Sequence, residues 1–410
     1  MSNFIPSTIS QKYNSKIGYI LLFLLLFVGP PFVIEHFPGF PGWKVLYLLI
    51  YPLLFIYACK HRIKLFSNRF KRIIISWVLG WGMFAILHQD SIYISRCLIA
   101  IIVFTIVSFI YSIGTFRYVK YFIYLMLIFS IFGAISFFLY YFVGIHPLFE
   151  YENVDGRTGY CFGLTCSNVF SSIFFRYSGY FDEPGAMGLW GLLAILLNKL
   201  TLNNRKIEIT LIVCLLFTFS VGYFISVVAY ILLIVIDFKN LKTIFLFGLL
   251  MSLCLVFISK DEQLSSKLFG RLQYDESTGT LTGNTRSDEQ DQAKIIFLTN
   301  PLIGVGASEA EKMGQQGYSI NSNVLSPLAK DGIIGVMILY FPFLLSLWRN
   351  RKNKVAFRCL LVYSLSFFHR PIIVGVFDLT MYLIFLEVIK YNTQNINLRL
   401  LSSHYICKDK

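Results

Sequence analysis

The chain has 410 residues, of which 56% are hydrophobic, 17% aromatic and only 14% charged, whereas about a quarter of the residues in a soluble domain carry charge. This composition excludes a soluble two-domain protein and predicts an all-α polytopic integral membrane protein. The formal net charge of +14 would suit nucleic acid, but basic residues that flank apolar runs set membrane orientation instead.

A membrane helix needs roughly 20 apolar residues, and about twelve such runs follow one another, at 17–34, 42–59, 73–88, 96–115, 121–145, 186–201, 207–219, 221–237, 243–259, 331–348, 355–369 and 372–390. Residues 1–16 are polar and carry Lys12 and Lys16. The run behind them is long, so no cleaved signal peptide is expected. About five helices fill residues 1–145. With the N-terminus cytoplasmic, the inner connections include KHRIKLFSNRFKR (60–72), FRYVK (116–120), NNRK (203–206), FKNLK (238–242) and RNRKNK (349–354). Of the 36 Lys and Arg, 24 then lie inside, with Glu208, Asp237, Glu387 and Asp409 the acids on that side. The inner face carries about +20 and the outer about −6. Both termini are expected in the cytoplasm, with the lipid bilayer as a partner and no nucleic acid.

Residues 146–185 form a first large outer loop. It opens with the turn-rich IHPLFEYENVDGRTG and continues through GYCFGLTCSN. Of eight cysteines, Cys59, Cys97, Cys214, Cys254 and Cys359 sit in or beside spans as small buried hydrophobes. Cys161 and Cys166 share this loop and either form a disulfide, if the outer compartment oxidises thiols, or remain thiols. No histidine or second cysteine pair accompanies them, so zinc is not expected. VFSSIFF (169–175) is too short to span and is expected to lie at the interface or re-enter, with Phe174, Phe175, Tyr177, Tyr180 and Phe181 at headgroup depth. In FRYSGYFDEPGAMG (175–188), Pro184 suits the first turn of the next helix, with Asp182 or Glu183 near its cap.

About four helices occupy 186–259, and a second large outer loop spans 260–330. Thr285 and Asp288 have capping-box spacing, and Ala293, Ile296 and Phe297 mark one face of a helix over about 286–298. NPLIGVG (300–306) ends it, with Pro301 as the stop and Gly304 and Gly306 allowing tight turns. A further helix is expected to begin near Ser322 and lead into the tenth span. About three helices and a cytoplasmic tail complete 331–410.

Two long loops on one face predict a site there. Arg157, Arg176, Arg286 and Arg370 are the outer candidates, and the planar guanidinium fork suits phosphate. Any one of them alone reads better as a partner of an acid or a lipid headgroup. Arg286 at a helix start has the added argument that a bound anion would satisfy both it and the free amides. Asp182 fits a helix-start acid, whereas Glu183 reads either as a general base or as the group that holds Arg176. Gly179, Gly185 and Gly188 permit bends, helix packing or close approach of a ligand. His369 forms the outer turn HRP with Arg370 and Pro371, either as a proton-transfer group or as a solvated interfacial side chain. Asp378, inside the last run, is expected to face the bundle interior with Arg370 or another base as partner.

The pattern R-x-x-G-x-F-x-E-P-G (Arg176 to Gly185), followed by an arginine-led helix, NPLIGVG and the segment L-x-x-L-A-x-x-G-I-I-G (Leu325 to Gly335), resembles the O-antigen polymerases (Wzy) and, more distantly, the O-antigen ligases. The resemblance implies a metal-independent, cofactor-free glycosyltransferase of the bacterial inner membrane. Such an enzyme moves a growing glycan from undecaprenyl pyrophosphate onto a newly flipped lipid-linked repeat unit in the periplasm. It implies a chain-length regulator and a flippase as partners. Arg176 and Arg286 would stabilise the departing pyrophosphate, and Glu183 would orient or deprotonate the acceptor. The family's histidine-asparagine pair is INSN here, which puts Asn321 or Ser322 at that place, and TFSVG (218–222) lacks the family's arginine. The histidine's role is either absent or supplied by His369. The alternatives are a ligase and, in a different class, a lipid-linked oligosaccharide flippase, whose polar groups would line a central path instead of outer loops.

Overall fold

The structure is a computed structural model. It describes residues 16–28, 33, 37, 43–152, 156–171, 174–236, 274–275, 280–281, 287–315, 324–372 and 374–406. The expected ninth span (243–259), Arg286, Asn321 and Ser322 lie outside them, as does the side chain of His369.

The helices run in chain order as α1 (Lys16–Leu24), α2 (Trp43–Lys60), α3 (Asn68–His88), α4 (Ser91–Ile113), α5 (Thr115–Val143), α6 (Pro184–Leu200), α7 (Arg205–Leu216), α8 (Val221–Tyr230), α9 (Ser287–Thr299), α10 (Ala307–Gln315), α11 (Ser326–Arg349), α12 (Lys354–His369) and α13 (Val376–Ile406). Their boundaries follow from local chemistry. Ser67, Asp90, Asn204, Ser220 and Asn353 each accept a backbone N–H at the start of α3, α4, α7, α8 and α12, a contact worth about 1 kcal/mol apiece. A single π-helical turn, Ile231–Val235, extends α8.

Among the described residues, α3, α4, α5 and α11 are long and apolar enough to cross a membrane. They carry large apolar side chains such as Leu79, Ile86 and Phe142 on the outside, a surface suited to acyl chains. The chain is therefore membrane-embedded and multi-pass.

The centre of the bundle is α6, which is buried on every side from Trp190 to Asn198, as a helix apolar all round must be. It runs parallel to α13: the rings of Trp190 and Phe377 lie 4.8 Å apart, and Asn392 donates to the carbonyl of Leu200 at 3.2 Å. Both N-termini therefore open on the same end.

The first large loop carries β structure, for which the sequence holds no clear local signal. β1 (Phe149–Glu152), β2 (Thr158–Cys161) and β3 (Cys166–Ser167) form an antiparallel sheet, and β4 (Val169–Ser171) pairs with β5 (Phe174–Arg176). At VFSSIFF, where the sequence suggests an interfacial or re-entrant segment, residues pair as β4 and β5, and the cross-strand bonds satisfy the backbone without a helix. β6 (Tyr274–Asp275) and β7 (Thr280–Leu281) pair in the second loop. The expected helix near 286–298 is α9, with Ala293 buried. α10 is additional, and α11 begins at Ser326 where a start near Ser322 was expected.

Candidate functional site

The site is built at the N-terminus of α6. Glu183 is its N-cap residue in an extended conformation, and Pro184 follows at the first helical position. There the missing N–H costs nothing and φ is already helical. The carbonyl of Glu183 accepts from Ala186 and Met187 at 3.1 and 3.3 Å, so its carboxylate is left to project toward neighbours.

Those neighbours are arginines. Arg370, the residue after α12, forms an ion pair with Glu183 and lies 4.0 Å from Asp182. Arg157, just ahead of β2, reaches Glu183 at 3.7 Å. Glu183 and Arg370 are mostly buried, at 18% and 19% side-chain exposure, whereas Asp182 and Arg157 are open at 44% and 53%. Burial lowers the Arg370 pKa from its ordinary value, and the charge of Arg157 acts in the same sense against Asp182 and Asp378. A guanidinium remains protonated through such a shift. Asp378, in the first turn of α13, is within electrostatic reach of Arg370, as its place in the last run suggested. Two arginines, three carboxylates and the positive ends of α6 and α13 thus converge on one face.

Arg176 closes β5 and donates from Nε to the carbonyl of Thr218 at 3.0 Å. Glu183, for which holding Arg176 was one of two readings, pairs with Arg370 and Arg157. Of the aromatics beside it, Phe175, Tyr177 and Phe181 are fully buried inside the protein. Phe175 packs on Phe162 and Tyr140, and the Tyr177 hydroxyl donates to the carbonyl of Cys214 at 2.7 Å. These rings fix the loop to the bundle, because burying large aromatic area stabilises more than leaving it at an interface. Gly179 has φ +61°, and a Cβ there would meet the Met187 sulfur at 2.9 Å. Its role is to let the chain turn onto α6.

Cys161 and Cys166 are direct cross-strand partners of β2 and β3. Both are buried free thiols.

A second polar cluster, not anticipated from sequence, ties α10 and the start of α11 to the α3–α4 turn. Asp90 caps α4 through Ile92 N–H at 2.9 Å and also accepts the N–H of Ser308 at 2.7 Å and the Ser308 hydroxyl, so it holds α10 as well. Burial works against the charged form of Asp90, but these donors and Arg96 outweigh it and hold its pKa below the ordinary carboxylate value. Arg96 pairs with Asp331 at 2.8 Å, and Tyr93 donates to the same carboxylate oxygen at 2.6 Å. The signal was present as an arginine early in an apolar run and an aspartate before a glycine, but their partnership joins residues 96 and 331. NPLIGVG then lies along an interruption of α11 at Gly332 (φ +62°). Val305 and Gly306 donate to the carbonyls of Ala329 and Lys330, while Ile333 and Ile334 donate to those of Pro301 and Leu302. Gly304 packs its α-carbon against the Lys330 carbonyl, and Gly306 lies against the ring of His88. Both glycines allow backbone approach within the protein.

Compared with models of protein families and with curated proteins, the chain matches none.

Proposed function

We propose that the protein is an O-antigen polymerase of the bacterial inner membrane, with both termini cytoplasmic and the α6 N-terminus facing the periplasm. The observation that carries this reading is Arg370, held by Glu183 and near Asp182 where two parallel, buried helices open their N-termini on one face. Helix N-termini and guanidinium groups both favour an anion. An undecaprenyl-pyrophosphate donor fits that chemistry, because its leaving group takes on charge as the glycosidic bond breaks.

In this scheme an acceptor hydroxyl of the new repeat unit attacks the anomeric carbon of the growing glycan, and the bond to the pyrophosphate oxygen breaks. Arg370 and Arg176 receive the departing negative charge, with Arg286 as a third candidate. Glu183, committed to two guanidinium groups, positions Arg370. Asp182, more open to solvent, orients the acceptor hydroxyl and takes its proton. His369 adjoins Arg370 in the chain and is the alternative proton carrier. The flippase that supplies repeat units and a chain-length regulator are the expected partners.

Deletion of the gene followed by lipopolysaccharide electrophoresis tests the reading. A polymerase defect leaves core plus a single repeat unit, whereas a ligase defect leaves bare core with polymer held on the carrier. A flippase defect leaves bare core without that polymer. A surviving ladder after deletion would falsify all three. Removing one charge-stabilising donor costs about a hundredfold or more in rate, so Arg370→Ala and Arg176→Ala should abolish the ladder while the protein inserts normally. Arg370→Lys should not restore it fully, because the fork is lost.

A further inference from the structure

The hairpin around residues 162–165 sets Cys161 and Cys166 in a particular relation. The N–H of Phe162 donates to the carbonyl of Thr165 at 2.9 Å, which makes 162 and 165 a hydrogen-bonded pair. The next pair outward, 161 and 166, is then the non-hydrogen-bonded kind. Its backbone groups confirm this. The carbonyl of Cys161 accepts from Leu148, while the N–H and carbonyl of Cys166 bond to Gly179 and Ser178. At such pairs the α-carbons approach to about 4.5 Å, inside the roughly 4.4–6.8 Å range over which a disulfide forms.

We propose that Cys161 and Cys166 form a cross-strand disulfide that closes before the loop packs and then fastens β2 to the segment carrying Asp182 and Glu183. β2 is preceded by Arg157, which reaches Glu183, and β3 bridges Gly179 through Cys166. A bond between 161 and 166 therefore closes the end of the sheet opposite the Arg157–Glu183 contact. The closed loop holds only six residues, so its effect on the unfolded chain is small and its action local.

Before the loop packs, both thiols are open to a disulfide oxidant, and the Cys161 thiolate is the one that attacks first in this scheme. It attacks one sulfur of an oxidant's disulfide and displaces one thiolate. The deprotonated Cys166 sulfur then attacks Cys161 and displaces the second. Two thiols are oxidised, the oxidant becomes a dithiol, and the two protons pass to its sulfurs. Val33, Tyr151 and Phe37 pack over the pair and shield the finished bond from reductants.

This inference rests on the proposed periplasmic placement of the loop. The test counts thiols in the denatured full-length chain with a polyethylene-glycol maleimide, before and after reductant, after blocking free thiols at harvest. Of eight cysteines, two should become reactive only on reduction in the wild type, and none in Cys161→Ser or Cys166→Ser. A wild-type chain in which reductant adds no thiol overturns the disulfide. In that event Gly156→Cys, on the exposed β1–β2 turn, is treated in intact cells with a membrane-impermeant maleimide. Labelling shows that the disulfide alone was wrong, and protection shows that the loop's placement failed with it. Neither readout depends on glycan synthesis, so the lipopolysaccharide ladder judges the polymerase reading separately.

Discussion

Glu183 stands between two guanidinium groups of unequal burial, and that inequality sets what each contact contributes. Removing one partner of a largely buried pair leaves the other charge uncompensated, at a cost of about 3 kcal/mol or more. A half-exposed pair is worth at most about 1 kcal/mol. Glu183→Gln should therefore lower thermal stability in detergent far more than Arg157→Ala, and Arg370→Ala combined with Glu183→Gln should cost less than the two single losses together. Equal effects of Glu183→Gln and Arg157→Ala would contradict the geometry. Asp90 gives a pH dependence. Its folded pKa is depressed, so its contribution is present above the unfolded value near about 3.9 and disappears as pH falls through the folded value. Acidification from pH 5 to below 4 should lower the melting temperature of the wild type more than that of Asp90→Asn. Asp90→Ala should cost about 2 kcal/mol at neutral pH, since one side chain caps two helices.

At the scale of elements, the interrupted α11 and the NPLIGVG segment act as one unit. A Cβ on Gly304 would meet the Lys330 carbonyl at 2.4 Å, and one on Gly332 would meet the Leu302 carbonyl at the same distance, both with positive φ. Strain and overpacking together predict a loss of about 2–5 kcal/mol for Gly332→Ala, read as early unfolding of the outer segment by limited proteolysis. Helix positions were legible in the sequence because apolar runs and capping residues are local signals: α2, α6 and α9 begin within two residues of their expected starts. The sheet in the first loop was not, because its strands are two to four residues long and their apolar residues also fit an interfacial segment. Nor were the Arg96–Asp331 and Arg370–Glu183 pairs, which depend on how distant helices pack. The notable residues Arg157, Asp182, Glu183 and Arg370 could be picked out from sequence, but their mutual arrangement could not.

Across the described residues, several charged and amide side-chain contacts lie toward opposite ends of the bundle. Arg69 with Glu387, Lys199 with Glu208, and Asn353 with Thr393 join the segments whose basic residues predict a cytoplasmic side. Asp90 with Ser308, Arg96 with Asp331, and Arg370 with Glu183 join segments expected on the other side. Cysteine accessibility can read this division. Glu309→Cys should react with an impermeant maleimide in intact cells, whereas Lys352→Cys should react only after permeabilisation.

The full burial of α6 has a consequence for biogenesis. Its Trp190 packs on Phe377, a residue synthesised about 190 positions later. At about 5–20 residues per second, the ribosome needs roughly 10–40 s to supply that partner, while the α3–α4 hairpin can close almost at once. During that interval α6, with the future Glu183 contact at its head, waits in the bilayer or translocon without its final neighbour. Assembly of the site is therefore a late event, timed by the last helix and dependent on whatever shelters the central helix until then.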